Sequence, residues 1–251
     1  MSGHSRWAGI KHKKAIVDSK KGKAFTKLGK EVSVAAREGG GNPENNARLR
    51  KAVEDAREAN MPQENIKRAI QRGTGELPGL IIEELRYEGY GPGGVAILVD
   101  VTTDNKNRTA PVIRKIFSDH GGNIAEAGAV GWMFSPKGLI NIEKSKVDED
   151  TLLNLVLEAG AEDLNSTDDE YYEVTSAPAD FEKVRAALAA RQIPVANSEV
   201  TLVSKTVIPV KGHEAESVLA LVQELEDHED VKIVYANFDI PKEILNKALA
   251  G

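Results

Sequence analysis

Cysteine is absent from this chain of 251 residues. That excludes disulfides, Cys-ligated zinc, iron–sulfur clusters and thiol nucleophiles. Long apolar runs are missing too. The longest, Val95-Ala96-Ile97-Leu98-Val99, has the length of a strand, far short of the ~20 residues that cross a bilayer, so no membrane partner is expected. The N-terminus has no apolar stretch of the secretory kind. It is acid-poor, as transit peptides are, but its bases are mostly Lys and Gly is frequent. The expected location is the cytoplasm.

Signs of catalysis are equally sparse. The five histidines are His4, His12, His120, His213 and His228, and none pairs with another at the helical i, i+4 spacing of a metal site. His120 follows Asp119 at a helix end, where a cation beside the dipole's negative pole explains it. No Ser occupies a nucleophile elbow. The acid clusters Asp168-Asp169-Glu170 and Glu226-Asp227 with Glu229-Asp230 lack the Gly and the alternating spacing of a calcium loop, and they read as solvated. Gly89-Tyr90-Gly91-Pro92-Gly93-Gly94 matches the letters of a dinucleotide loop, but it leads into a β-branched run and not into a helix. A hairpin turn is the better account. The expectation is a non-enzyme with no metal, no cofactor and no small-molecule substrate.

What is present is a charge asymmetry. The first thirty residues hold nine Lys/Arg and one acid, a net of +8, while the whole chain carries −6 and the remainder therefore −14. A basic arm on an acidic body is built for a polyanion. The expected nucleic-acid contacts are Arg6, Trp7, Lys11, His12, Lys13, Lys14, Lys20, Lys21, Lys23 and Lys27, extended by Lys67, Arg68 and Arg72 farther along. Trp7 among cations suits stacking on an unpaired base, or else anchors the arm. The lysines read otherwise only as a soluble face. Arg48, Arg50 and Lys51 are balanced by Glu54, Asp55 and Glu58 and count as neutral.

Periodicity predicts three helices before residue 80. The first carries Phe25, Leu28, Val32 and Ala35 on one face and stops at Gly39-Gly40-Gly41. The second is restarted by Asn42-Pro43-Glu44, with Asn as cap. The third is opened by Met61-Pro62 and ended by Gly73. Strands and helices then alternate, and Val130–Phe134 and Leu139–Ile142 read as strands around a Ser-Pro-Lys-Gly turn. Residues 139–203 follow the ferredoxin-like order strand–helix–strand–strand–helix–strand. The segments on either side are each too short to close a sheet, so they are expected to share one. At 41% hydrophobic residues the chain has enough for real cores. The expected architecture is α+β and multidomain: a basic arm and three-helix bundle over 1–79, a discontinuous α+β domain over 80–128 plus 204–251, and an inserted ferredoxin-like domain over 129–203. A terminal helix is expected over Lys242–Leu249.

Several segments resemble the YebC family: Gly3-His4-Ser5-Arg6-Trp7, Ile10-Lys11-His12-Lys13-Lys14, Lys23-Ala24-Phe25-Thr26-Lys27-Leu28 and Gly39-Gly40-Gly41-Asn42-Pro43. So do Ala59-Asn60-Met61-Pro62, Asn65-Ile66, Arg72-Gly73-Thr74-Gly75, Tyr87-Glu88 with the glycine loop, Thr103-Asp104-Asn105-Lys106-Asn107-Arg108-Thr109, and Gly121-Gly122-Asn123. The resemblance runs nearly end to end. It implies the three-domain fold above, cytoplasmic location and no catalysis. It also implies a regulator of gene expression, either a transcriptional regulator on DNA or a ribosome-associated translation factor that relieves stalling on ribosomal or transfer RNA. The family's mitochondrial members activate translation of cytochrome oxidase subunits. A protein-interaction adaptor working through the acidic domains is the further alternative. A second contact surface is expected at Tyr90, Asp104, Asn105, Asn107 and Arg108, loop residues on a rigid scaffold, with Arg108 as a phosphate or carboxylate clamp. The simpler reading is helix capping by Asp104 or Asn105.

Overall fold

The computed structural model describes residues 21–79, 81–241 and 243–245. The fold is α+β and multidomain: a helical bundle, an α+β part and a ferredoxin-like part inserted into it. By contact density residues 14–129 with 211–234 form one compact unit, and 130–210 with the chain from 235 on lie in the other.

The bundle consists of α1 (Lys21–Gly39), α2 (Ala47–Glu58) and α3 (Gln63–Thr74). Val32, Ala35, Ala36, Leu49, Ala52, Val53, Ala56, Ile66 and Ala69 make its core, with Phe25 and Leu28 packed at the margin. Small residues let the helices come close. A methyl group added at Gly73 would lie 2.3 Å from the Ser33 carbonyl, and Ser33 Oγ donates to the Ala69 carbonyl at 2.8 Å. Gly73 therefore sits inside α3 at the helix crossing and does not end it. The helix stops at Gly75, whose φ is +81°. The cap of α2 is Asn46, not Asn42. Asn46 Oδ1 accepts from the Leu49 N–H at 3.0 Å while its Nδ2 donates to the Ala35 carbonyl at 2.7 Å. One buried side chain thus starts α2 and closes α1.

The α+β part begins with a hairpin. Strand β1 (Glu83–Tyr90) pairs antiparallel with β2 (Ala96–Thr103) in a register that sets Tyr90 opposite Ala96. The glycine loop is the turn between them, with Gly93 at φ +68° and Gly94 at φ +77°. Helix α4 (Lys106–Asp119) follows and ends at Gly121, φ +74°. The short strand β3 (Asn123–Ile124) adds to the far side of β1.

The ferredoxin-like part runs β4 (Phe134–Glu143), α5 (Glu149–Glu158), β5 (Ala161–Asn165), β6 (Tyr171–Ser176), α6 (Phe181–Ala190) and β7 (Asn197–Ser204). Its sheet has the order β5-β6-β4-β7. Ile140, Ile142, Tyr172 and Val174 alternate onto one face and pack against Leu152, Val156, Val184 and Leu188 of the helices. The expected turn at Ser135-Pro136-Lys137-Gly138 does not exist, because β4 runs straight through it. Its pairing with β6 starts only at Gly138, while β7 covers the strand from Phe134. Pro136 is thus paired on one side alone, where a missing N–H does no harm.

After β8 (Ile208–Pro209) come α7 (Gly212–Asp227), β9 (Val231–Ala236) and β10 (Phe238–Asp239). β9 completes the sheet β3-β1-β2-β9, so the two flanking segments do share a sheet. β8 does not join it and pairs in parallel with β10. Of the terminal helix expected from Lys242, only residues 243–245 are described, and they are helical.

Candidate nucleic-acid interface

Arg6, Trp7, Lys11, His12, Lys13, Lys14 and Lys20 lie outside the described residues, as does the side chain of Lys21. The arm's continuation into α1 is described, and its lysines face an unexpected partner. Lys23 Nζ donates to the Asp227 carbonyl at 3.3 Å and Lys27 Nζ to the Glu226 carbonyl at 2.5 Å. Lys30 Nζ donates to the Glu229 carbonyl at 3.2 Å and pairs with the Asp230 carboxylate. Positions 23, 27 and 30 share one face of α1, and that face meets the C-terminal end of α7. Helix ends leave carbonyls without intrahelical donors and carry partial negative charge, which is what three ammonium groups match.

The acid cluster Glu226–Asp230 is therefore not simply solvated. The Asp230 side chain is wholly buried. Its Oδ2 accepts from Thr109 Oγ1 at 2.7 Å, Thr103 Oγ1 at 3.3 Å and Arg108 Nη2 at 3.2 Å. Burial pushes this carboxyl up, but Lys30, Thr109 and Arg108 outweigh burial and bring it down to about 2. Asp168, also buried, accepts from the Glu170 and Tyr171 N–H groups as a turn residue.

A second charge network lies close by. Arg48 donates to Glu31 at 2.9 Å, Glu38 at 2.6 Å and Glu84 at 2.7 Å, and Lys232 pairs with Glu31 at 2.7 Å and Glu84 at 3.4 Å. Hydrogen bonds donated to Glu84 and Glu31 raise the Arg48 pKa further. Arg48 is indeed neutralised, as its count predicted, but by carboxylates of α1 and β1 and not by its own helix. Lys51 does pair within the helix, with Asp55 at 2.5 Å.

Lys67, Arg68 and Arg72 divide into two sets. On α3 the positions 65, 68 and 72 fall on one face, and Lys67 points to another. Asn65, Arg68 and Arg72 line an open groove of about 990 Å³, and Lys67 does not. The opposite wall is a stripe of α1, Thr26, Lys30, Ser33 and Arg37, with Phe25 and Val34 beside it. Leu77, Pro78, Ile81 and Ile82 form the rim, and Asp104 is the one acid among the described lining residues. The Arg37 guanidinium donates to the Ile82 carbonyl. Arg68 pairs with Glu64 at 3.2 Å on the exposed surface, and Arg72 has no ion pair among the described residues. Arg37 and Lys30 were not among the contacts read from the sequence. The stripe 26, 30, 33, 37 on α1 was the available signal.

The residues expected to form a second contact surface mostly have partners within the protein. Asn105 Oδ1 accepts from the Arg108 N–H at 3.1 Å, so Asn105 is the cap of α4. Arg108 is a carboxylate clamp, on Asp104 at 2.9 Å and on Asp230. Tyr90 Oη donates to the Ala129 carbonyl at 3.3 Å. Asn107 is exposed.

Among the described residues no cluster of three His, Asp or Glu is arranged to hold a metal, and no helix is long and apolar enough to cross a membrane. Two family models match the chain: the TACO1/YebC protein N-terminal domain over residues 5–76, and the TACO1/YebC second and third domain over residues 82–238. The chain belongs to the TACO1/YebC family. Relatives in this family named "Probable transcriptional regulatory protein" include one from Dictyoglomus turgidum, 60% identical over 98% of both chains. Another, from Endomicrobium trichonymphae, is 58% identical over 98% of this chain and 99% of the relative. The crystal structure of a conserved hypothetical protein, Aq1575, from Aquifex aeolicus is similar, with a TM-score of 0.76 and 43% identity over 90% of this chain and 93% of the other. The TACO1/YebC matches thus cover both the bundle that carries the groove and the α+β parts of the chain.

Proposed function

We propose that this TACO1/YebC protein is a non-catalytic cytoplasmic regulator of gene expression that binds nucleic acid through the basic end of its helical bundle. One observation carries this reading: the cations gather on the arm, α1 and α3, in a chain whose residues beyond the first thirty sum to −14. The groove walls add Arg37, Arg68 and Arg72 to the arm's charge. Such a surface draws phosphates by counterion release and needs no chemistry of its own. The relatives' printed name, transcriptional regulatory protein, agrees with a nucleic-acid partner.

The partner is either promoter DNA or ribosomal or transfer RNA at the ribosome. The test is binding of the full chain to labelled duplex DNA and to RNA across a salt series, beside sedimentation of cell lysate through sucrose. Steep salt dependence supports the reading. Co-migration with ribosomes selects translation, and retention on promoter DNA selects transcription. No binding to either nucleic acid at low salt rejects the proposal.

A further inference from the structure

We propose that the α1–α3 groove is a site for single-stranded nucleic acid, with phosphates on Arg68 and Arg72 and unstacked bases against Phe25 towards one end and Ile81 towards the other. This rests on the nucleic-acid reading above and goes further by choosing the form of the ligand.

Three features point the same way. Arg68 and Arg72 are both exposed and line the same groove. Four residues of helix separate them by about 6 Å along the axis, a spacing suited to neighbouring phosphates of one strand. Arg37 stands on the opposite wall, and Asn65, one turn before Arg68, supplies an amide for a base edge.

The second feature is the apolar rim. Ile81 is 76% exposed, the most exposed large hydrophobic side chain among the described residues. Phe25 is only partly covered by the bundle core. A duplex offers phosphates outward and keeps its bases stacked inside, so it finds no use for these side chains. A single strand presents bases whose faces pack on aromatic and aliphatic surface.

The third feature is what the walls lack. Both are helices, and their main-chain groups are spent within the helix. An extended acidic peptide would find no strand edge to pair with. A nucleotide needs only a cation and a flat apolar surface.

The experiment uses the full chain and a labelled oligonucleotide of mixed sequence, single-stranded and annealed to its complement. The single strand is expected to bind about tenfold tighter than the duplex. Arg68→Ala and Arg72→Ala should each weaken single-strand binding and reduce the salt slope by about 0.7 per lost contact. Ile81→Ser should weaken binding with the slope unchanged, and its exposed position leaves the thermal midpoint at the wild-type value. Duplex binding as tight as single-strand binding overturns the groove assignment while leaving the functional reading intact. So does single-strand affinity that ignores all three substitutions. Displacement by poly-glutamate as effectively as by unlabelled oligonucleotide at equal ionic strength assigns the groove to an acidic protein and overturns the proposal. No binding to any nucleic acid removes the functional reading itself, and the groove with it.

Discussion

Lys30 of α1 and Asp230 of the loop before β9 are 200 residues apart in sequence and form an ion pair whose carboxylate is wholly buried. The pair joins the bundle to the α+β sheet. The same carboxylate gathers Thr103 at the end of β2 and Arg108 and Thr109 of α4. Charges, here and around Arg48, thus take part in fastening the bundle to the sheet.

Asp230→Asn should lower unfolding stability by about 3 kcal/mol, the cost of leaving a buried ammonium without its carboxylate. The effect depends on pH in a fixed direction. The folded-state pKa is depressed from 3.8 to about 2, so the stabilisation is fully present above the unfolded value and is lost as pH falls toward the folded one. Urea unfolding at a series of pH values checks this. Between pH 4 and pH 2 the wild type should lose more stability than the variant, and parallel losses would contradict the pairing.

In the proposed function the acidic end of α7 competes with nucleic acid for the lysines of α1. Neutralising Glu226, Asp227 and Glu229 together, to Gln, Asn and Gln, should tighten nucleic-acid binding about three- to tenfold. Folding should not suffer, since acids at a helix C-terminus oppose its dipole. The same change at Glu149, Asp150 and Glu158 of α5 alters net charge equally and should have a smaller effect. Equal gains from both triplets would mean that only net charge matters.

Two glycines within helices should respond in opposite ways. Gly73→Ala places a methyl 2.3 Å from the Ser33 carbonyl, and such overpacking costs about 1–3 kcal/mol. Gly29→Ala in α1 meets nothing within 4 Å and should stabilise by about 0.5–1 kcal/mol through helix propensity. Thermal melts of the two variants decide it, and matching signs would refute the close crossing.

Removing residues 1–23 deletes seven bases and one acid. The log–log salt slope for duplex DNA should flatten most of the way to zero from a starting value of about −4 to −5. A residual slope near −2 should persist for single strands, from the two or three arginines of the groove. A duplex slope unchanged by truncation would take the arm out of the interface.

Much of this was legible in the chain itself. The three bundle helices follow from apolar spacing, the β1–β2 turn from the context of its glycines, and the ferredoxin-like part from its element order. The misreadings have local causes. Asn42 and Asn46 are equally good caps by composition, and only Asn46 also reaches the Ala35 carbonyl. The Ser135–Gly138 stretch has the letters of a turn, yet β7 pairs along it and holds Pro136 extended, and the strand's other side is unpaired there, so no N–H is needed on it.

The charge asymmetry, the absence of cysteine and the periodicities belong to the sequence alone, because each depends on residues near one another along the chain. Which charges remain for a ligand was decided only by the tertiary structure. Lys23 and Lys27 read as phosphate contacts until α7 brings its carbonyls to them from some 200 positions away. Arg108 reads as an open clamp until Asp230 fills it. Arg68 and Arg72 come to line one groove with Arg37 only when α3 lies against α1. Pairing energy depends on distance through space, and chain order does not encode that distance.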